Sequence, residues 1–447
     1  MLGESGINSM KSILVKRILF ICPHYPPSNL AAVHRSRLFA QHLPALGWEP
    51  VILTADEKYY EELLDWELHE LIPTSQRIVK VKAFKVGRPR LIGDIGLRAF
   101  FQLRKKALYL LRNEQFDFLY IPIPSFYTAL LGPYLHKKTG IKYGIDFIDP
   151  WVHQFSGSEQ IFSRHWFSTQ LAKILEPIAV KHASLITGVS EGYYLPVLNR
   201  NPHLKNQAIT AAMPYGGEEG DHEFIRRHES EVRSQTTDVR SQDSVNTDST
   251  PATFKFIYAG ALLPKAYKPL EEIFKALKHY TKQLNDSTSQ QIQIHFIGTL
   301  GTIKPIAEKH GLFGKTVFEH PDRMPYLDVL KELEKADGIF ILGSTEPHYT
   351  PSKVYQGVLS GKPILALLHE HSTAVKVLRE SNAGIVITMN GEEDLDSLDE
   401  RFLIELKKYL SWAQTFDSSK VDKEYFESFS AKAVTKKLAE AIAKAFN

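Results

Sequence analysis

The sequence predicts an α/β protein of two doubly wound domains in one chain, and three observations predict it. Short apolar runs alternate with amphipathic stretches of helical period from Arg17 to Ser190. The same alternation restarts at Phe254 and continues past Thr388. Between the two lies a polar stretch with neither pattern. Strands that alternate with helices build parallel sheets, because a parallel connection needs a crossover that a helix supplies. A chain of 447 residues, 43% apolar and 23% charged, can form two cores of this size.

The first set opens with "RILFICPHYPP" (Arg17 to Pro27), a strand running into a proline-rich loop. "HRSRLFAQHLPALGW" reads as an amphipathic helix ending at Gly47, and "EPVILTA" as the next strand. "RIVKVKAF", a helical stretch Leu97 to Asn113, "FDFLYIPI", a helix through "FYTALLGPYLHKKTG", "KYGIDFID", the helix "LEPIAVKHA" and the strand "SLITGVS" complete a Rossmann-like unit over residues 1–205. Asp221 to Ala252 is polar, and it repeats "EVRSQ" as "DVRSQ". That composition cannot bury a core, so it reads as a disordered insertion. The second set, within 206–422, runs "FKFIYAG", helix Leu270 to Leu284, "IQIHFIG", helix Ile303 to His310, "TVFEH", helix Tyr326 to Lys335 and "GIFILG". A further helix, "PILALL", the helix "STAVKVLRESNAG" and "IVIT" follow. A helical pattern over 423–447 ends the chain.

Composition removes several function classes. The formal charge of +3 carries no nucleic-acid signature. One cysteine, Cys22, excludes an intrachain disulfide and any multi-cysteine metal site. It ends an apolar strand, where a buried inert thiol is expected. The histidines show no metal-binding spacing, so no metal or other cofactor is expected. The start "MLGESGINSM" is polar and lacks a signal-peptide core, and Met10 is an alternative start. Phe118 to Leu135 is apolar but broken by three prolines, which excludes a membrane span. A cytoplasmic protein is expected.

"TPSKVYQGVLSGKPIL" (Thr350 to Leu365) carries the first chemical signal. Thr350 reads as N-cap and Pro351 as the first helical residue, with Gly361 and Pro363 as the stop. Lys353 then falls near the third position, where the helix dipole disfavours a cation. A bound anion would reverse that sign. The loop after a strand in a parallel sheet is also where ligands bind.

Five stretches, in order, resemble the retaining glycosyltransferases of family 4 over nearly the whole chain. They are "HYPPSNLAAVHRSRLFAQHLPALGWEPVILT", "TGIKYGIDFIDPW", "ASLITGVSEGY", "FIYAGALLPK" and "PSKVYQGVLSGKPIL". The resemblance implies the GT-B architecture: two Rossmann-like domains facing across a cleft, with a C-terminal helix crossing back. It makes residues 1–205 the acceptor domain and 206–422 the nucleotide-sugar domain. It implies transfer of a sugar from a nucleotide diphosphate-sugar to a hydroxyl, in polysaccharide or glycoconjugate assembly, without a metal. The acceptor would be lipid-linked, at the inner face of a membrane.

Site residues follow from the same resemblance. Ser352 and Lys353 would face the donor diphosphate or sugar. Gly260 would allow close backbone approach, with Lys265 and Lys268 as cations. Ala261 stands where the family usually has arginine. Gln356, three residues after Lys353 and on the same helix face, stands where the family commonly has a glutamate accepting from ribose hydroxyls. Tyr349 aligns with a second family glutamate, and Glu346 lies three residues before it. On the acceptor side, Asp146, Asp149 and His153 follow one strand and would orient or deprotonate the acceptor; Asp149, His153 and Lys353 are the catalytic candidates. Ile148 replaces the family's arginine between the aspartates. Ser28, Asn29 and Arg35 would face the cleft from the proline-rich loop. Gly87 to Asn113 mixes seven arginines and lysines with apolar residues. It reads either as a contact for an anionic membrane or as a helix with one basic and one core face. Two other readings stand beside the transferase: a nucleotide-sugar epimerase, and a non-catalytic sugar-nucleotide-binding or scaffold protein, the latter supported by Gln356 and Tyr349.

Overall fold

The structure, a computed structural model, describes residues 15–87, 93–123, 125–152, 161–236, 253–283 and 290–446. The first sheet holds β1 (Lys16–Ile21), β2 (Trp48–Ala55), β3 (Arg77–Val81), β4 (Phe118–Pro122), β5 (Lys142–Phe147), β6 (Leu185–Gly188) and β7 (Ile209–Ala212). The second holds β8 (Phe254–Ala259), β9 (Ile292–Ile297), β10 (Val317–His320), β11 (Gly338–Leu342), β12 (Ile364–His369) and β13 (Gly384–Met389). Their orders are β3-β2-β1-β4-β5-β6-β7 and β10-β9-β8-β11-β12-β13, and every pairing in both ladders is parallel. This is the GT-B fold.

Each sheet is buried on both faces, which is why its strands read as apolar runs without alternation. In the first domain, the helices Phe100–Asn113, Leu131–Thr139 and Arg164–Val180 cover one face. Ala31–His42 and the last helix, Ala431–Phe446, cover the other. The chain thus returns to its first domain. Phe446 stacks on Trp48, and Lys142 Nζ donates to the carbonyls of Ala445 (2.9 Å) and Phe446 (3.0 Å). Cys22 is buried, and desolvation pushes its thiol up to about 12, so it is inert at neutral pH.

Two boundaries differ from the sequence reading. β7 pairs with β6, so the first sheet extends beyond residue 205. Residues 221–236 are helical rather than disordered, within the helix Glu219–Thr236; residues 237–252 lie outside the described residues. The helix holds because its first turns are buried by distant partners. Arg37 pairs with Asp221 at 2.5 Å with both side chains buried, and Tyr326 donates to the same carboxylate at 2.9 Å. Local composition carries no sign of those contacts. In the basic stretch before Asn113, one helix face packs on the core and the basic face stays outward. Residues 88–92 are outside the described set, and Phe100–Asn113 buries Leu103, Ala107 and Leu110 in the core with its cations outward.

Candidate active-site cleft

A cleft of about 570 Å³ lies where the C-terminal ends of the two sheets face each other. Strand order reverses between β1 and β4 in one sheet and between β8 and β11 in the other, and loops leaving such points frame ligand sites. The loop after β1 brings Asn29, and the helix Ala31–His42 that follows it brings His34 and Arg35. The loop after β5 brings Asp149. Gly260 follows β8, and Tyr349, Ser352, Lys353 and Gln356 follow β11. Eight of the residues chosen from sequence therefore share one cleft.

Lys353 is its most unusual group. It is the first residue of the helix Lys353–Leu359, not near the third, and Ser352 rather than Thr350 precedes it. Thr350 instead hydrogen-bonds Thr373 (2.8 Å between hydroxyls), which takes it out of the capping role. Although part of the Lys353 stem is accessible, its Nζ is shielded and has no hydrogen-bond partner. It lies 3.7 Å from the centre of the Tyr258 ring, a cation–π contact. Desolvation pulls the amine from its ordinary 10.5 down to about 7. Gly260, at φ +117°, gives it room: a Cβ there would stand 3.3 Å from Nζ. Gly260→Ala combines that contact with a backbone that L residues avoid. We expect it to cost about 1–3 kcal/mol in chemical denaturation.

Gln356 has a partner that the sequence did not reveal. Its amide lies 3.0 Å from Nε2 of His222, which is buried, and His222 Nδ1 lies 2.7 Å from a Glu334 carboxylate oxygen. A neutral ring with Nδ1–H on Glu334 would meet the amide N–H through its Nε2 lone pair. An imidazolium would donate to the amide oxygen. Either way one end of the amide is committed to His222, leaving the other for a ligand.

Asp149 opens onto the cleft, and the protein crowded around its carboxyl raises its pKa. Its charge in turn helps raise the pKa values of Tyr193, Tyr215 and Tyr349, after burial. Tyr349 is a half-buried aromatic wall of this corner. His153 lies outside the described residues.

Other candidates are placed elsewhere. Asp146 is fully buried and does not line the cleft. It accepts from Arg35 Nε (2.6 Å) and Nη2 (3.1 Å) and from Thr187 (2.8 Å), and its burial keeps it out of an acceptor's reach. It positions Arg35 instead. Ser28 is buried and donates to Glu62 at 2.5 Å. Lys268 pairs with Glu392 on the surface, away from the cleft lining. Lys265 and Glu346 pair with each other at 3.4 Å, also outside the lining. Loop lysines cannot be assigned by counting residues from a glycine, because the turn geometry decides where they point.

Three functional groups were missed. Arg323, after β10, is an exposed cation on the cleft lining, and its Nη1 donates to the Asn29 carbonyl at 3.2 Å across the two domains. His34 is held neutral, pulled down to about 3 by burial and then by Arg37. Its Nε2 lies 2.8 Å from Asn29 Oδ1, and its Nδ1 has no hydrogen-bond partner. His222 is the third. "PDR" after a strand was a usable signal for Arg323; nothing local marked the histidines. Among the described residues no group of three or more His, Cys, Asp or Glu could hold a metal ion.

No family model matches the chain, and no curated protein does. Solved structures do. HepE of Anabaena, in complex with UDP and glucose, superposes with a TM-score of 0.60 at 13% identity, over 96% of this chain and 100% of that one. A glycosyltransferase of Rickettsia africae gives 0.59 at 14%, over 97% and 99%. A putative UDP-N-acetylglucosamine 2-epimerase of Listeria monocytogenes gives 0.51 at 12%, over 96% of each. At these identities the likeness is one of fold, and it spans both domains.

Proposed function

We propose that this protein is a retaining, metal-independent glycosyltransferase of the family 4 kind. It would move a sugar from a nucleotide diphosphate-sugar to a hydroxyl in polysaccharide or glycoconjugate assembly, with a lipid-linked acceptor at the cytoplasmic face of a membrane. One observation carries the reading: an unpartnered, shielded lysine Nζ beside a glycine backbone, in a cleft framed by two strand-order reversals. A donor diphosphate placed there would restore the proton on Lys353. It would also find Arg323 on the same cleft. The two cations would take up the charge that develops as the glycosidic bond breaks. Asp149, across the cleft, is the candidate to orient the acceptor hydroxyl or take its proton. HepE supports the donor class, since its structure holds UDP and glucose.

Thermal shift against UDP, GDP, ADP, CMP and dTDP tests this. A diphosphate should raise the melting temperature by mass action, and the effective base names the donor. Gln356→Glu should tighten that nucleotide by roughly fivefold in calorimetry. A carboxylate there accepts from the imidazolium form of His222 and offers its second oxygen to a ribose hydroxyl, worth on the order of 1 kcal/mol. Failure of every nucleotide to bind either form would leave the cleft without a donor.

A second reading is favoured by the neutral His34 and by Asp149 on the same cleft, the kind of groups a nucleotide-sugar epimerase needs. Product analysis separates the two. A transferase leaks its donor sugar to water, an epimerase returns an inverted nucleotide sugar, and a non-catalytic binding or scaffold protein leaves the donor intact.

A further inference from the structure

The helix Arg164–Val180 is amphipathic in the wrong sense for a soluble domain. Its buried residues are Thr169, Ala172, Glu176, Ala179 and Val180, of which all but the last are small or polar. Four of its large apolar residues, Phe167, Leu171, Ile174 and Ile178, are exposed, and their spacing of four, three and four places them on one face, while Leu175 and Val180 turn to the core. Ile174 is 63% exposed. Just ahead of the helix, Ile161 and Phe162 are 68% and 76% exposed. Phe162 lies in an aromatic cluster with Trp166 and Phe167, its ring tilted against theirs at 5.7 and 6.2 Å between ring centres. Phe162 has φ +67°, a strained backbone for a bulky residue, and it holds an aromatic ring in solvent. Core packing accounts for none of this.

The surroundings say what covers the face. The three helices of this layer, Phe100–Asn113, Leu131–Thr139 and Arg164–Val180, carry eight lysines and arginines. They carry one carboxylate, Glu176, and it is buried against Arg200 at 2.7 Å. The whole chain has a net charge of only +3, so the positive charge is concentrated here. A second copy would set two such basic surfaces against each other. An anionic bilayer offers what the face lacks: a hydrocarbon boundary for the apolar stripe and a diffuse negative surface for the cations around it.

We propose that the Arg164–Val180 helix, with Ile161 and Phe162, is the face on which this protein docks to an anionic phospholipid bilayer. The helix lies in the interface plane and does not span it; no described helix is long and apolar enough to cross a membrane. The contact lies on the layer that the helix Phe100–Asn113 joins, but its apolar stripe comes from a different helix. It stands independently of the transferase reading, because it rests on the outer face and not on the cleft.

Vesicle sedimentation tests it, using phosphatidylcholine alone and phosphatidylcholine mixed with phosphatidylglycerol. The protein should pellet with the mixed vesicles and not with the neutral ones, and added salt should release it. Phe167→Ser/Ile174→Ser should weaken binding by at least about tenfold. Both positions are exposed, so the melting temperature should hold. The nucleotide-induced thermal shift should be the same in the variant, which separates failure here from failure of the cleft reading. Lys137→Glu/Lys138→Glu should weaken binding to mixed vesicles as well. The proposal is overturned if the protein ignores both vesicle types, or if the serine variant binds as well as the parent. It is equally overturned if light scattering shows a dimer that the serine variant dissolves, since the occupant is then a second copy.

Discussion

Replacing Lys353 with methionine should stabilise the free protein and abolish its response to a nucleoside diphosphate. Methionine has nearly the same reach, and it packs on Tyr258 without a charge. The lysine leaves its Nζ shielded from water with no hydrogen-bond partner, and only a cation–π contact offsets that. The unfolded chain keeps a proton on this amine up to its ordinary 10.5, but the folded chain only up to about 7. Between those values unfolding takes up a proton. Lys353 therefore lowers stability progressively as pH falls from 10.5 to 7, by on the order of a few kcal/mol in total. Methionine should remove that slope, and denaturant melts at several pH values would show it. Ligand binding carries the opposite sign. A diphosphate favours the ammonium, so above pH 7 its binding should draw in a proton in the parent and none through this residue in the variant. Calorimetry in buffers of different ionisation heat reads this directly. A variant that melts lower than the parent would make Lys353 a structural residue. One that keeps its nucleotide response would move the donor site elsewhere.

The strands were legible because a sheet covered on both faces forces continuous apolar runs such as "ILFI" and "ILALL". Most cleft residues were legible for a related reason. Asn29, Asp149, Gly260 and Lys353 follow strand ends, and the fold brings strand ends together. The unread features depend on partners far away in the chain. Asp221 and His222 read as the start of a disordered polar stretch until Arg37, Glu334 and Gln356 surround them. Thr350 looks like a cap until Thr373 takes its hydroxyl. Asp146 and Asp149 look equivalent in "DFIDPW". One is the last but one residue of β5 and faces Arg35 in the core, while the other lies past the strand end and opens to the cleft. The resemblance to family 4 placed both on the acceptor side; the register of the strand separates them.

Asp146→Ala should be among the most destabilising single changes in the protein, about 3–5 kcal/mol in chemical denaturation. Both partners of the Arg35–Asp146 pair are buried, and the carboxylate holds two guanidinium nitrogens at 2.6 and 3.1 Å. Burial by itself would lower the pKa of Arg35, but Asp146 beside it more than offsets this and raises it. Without the carboxylate, the guanidinium is left with the Pro214 carbonyl at 2.6 Å and no counter-charge. That loss is the cost of stranding a charge, not the net worth of the pair. The double variant Arg35→Met/Asp146→Leu should therefore recover much of it, because apolar side chains of similar volume need no partner. Arg35 also lines the cleft, so the double variant separates two roles. If it recovers stability but not nucleotide or sugar turnover, the pair exists to hold a cationic side chain at the cleft wall. If it recovers both, the pair serves the fold alone. A double variant that costs the sum of the two single changes would contradict the stranded-charge account, since each half would then contribute independently of the other.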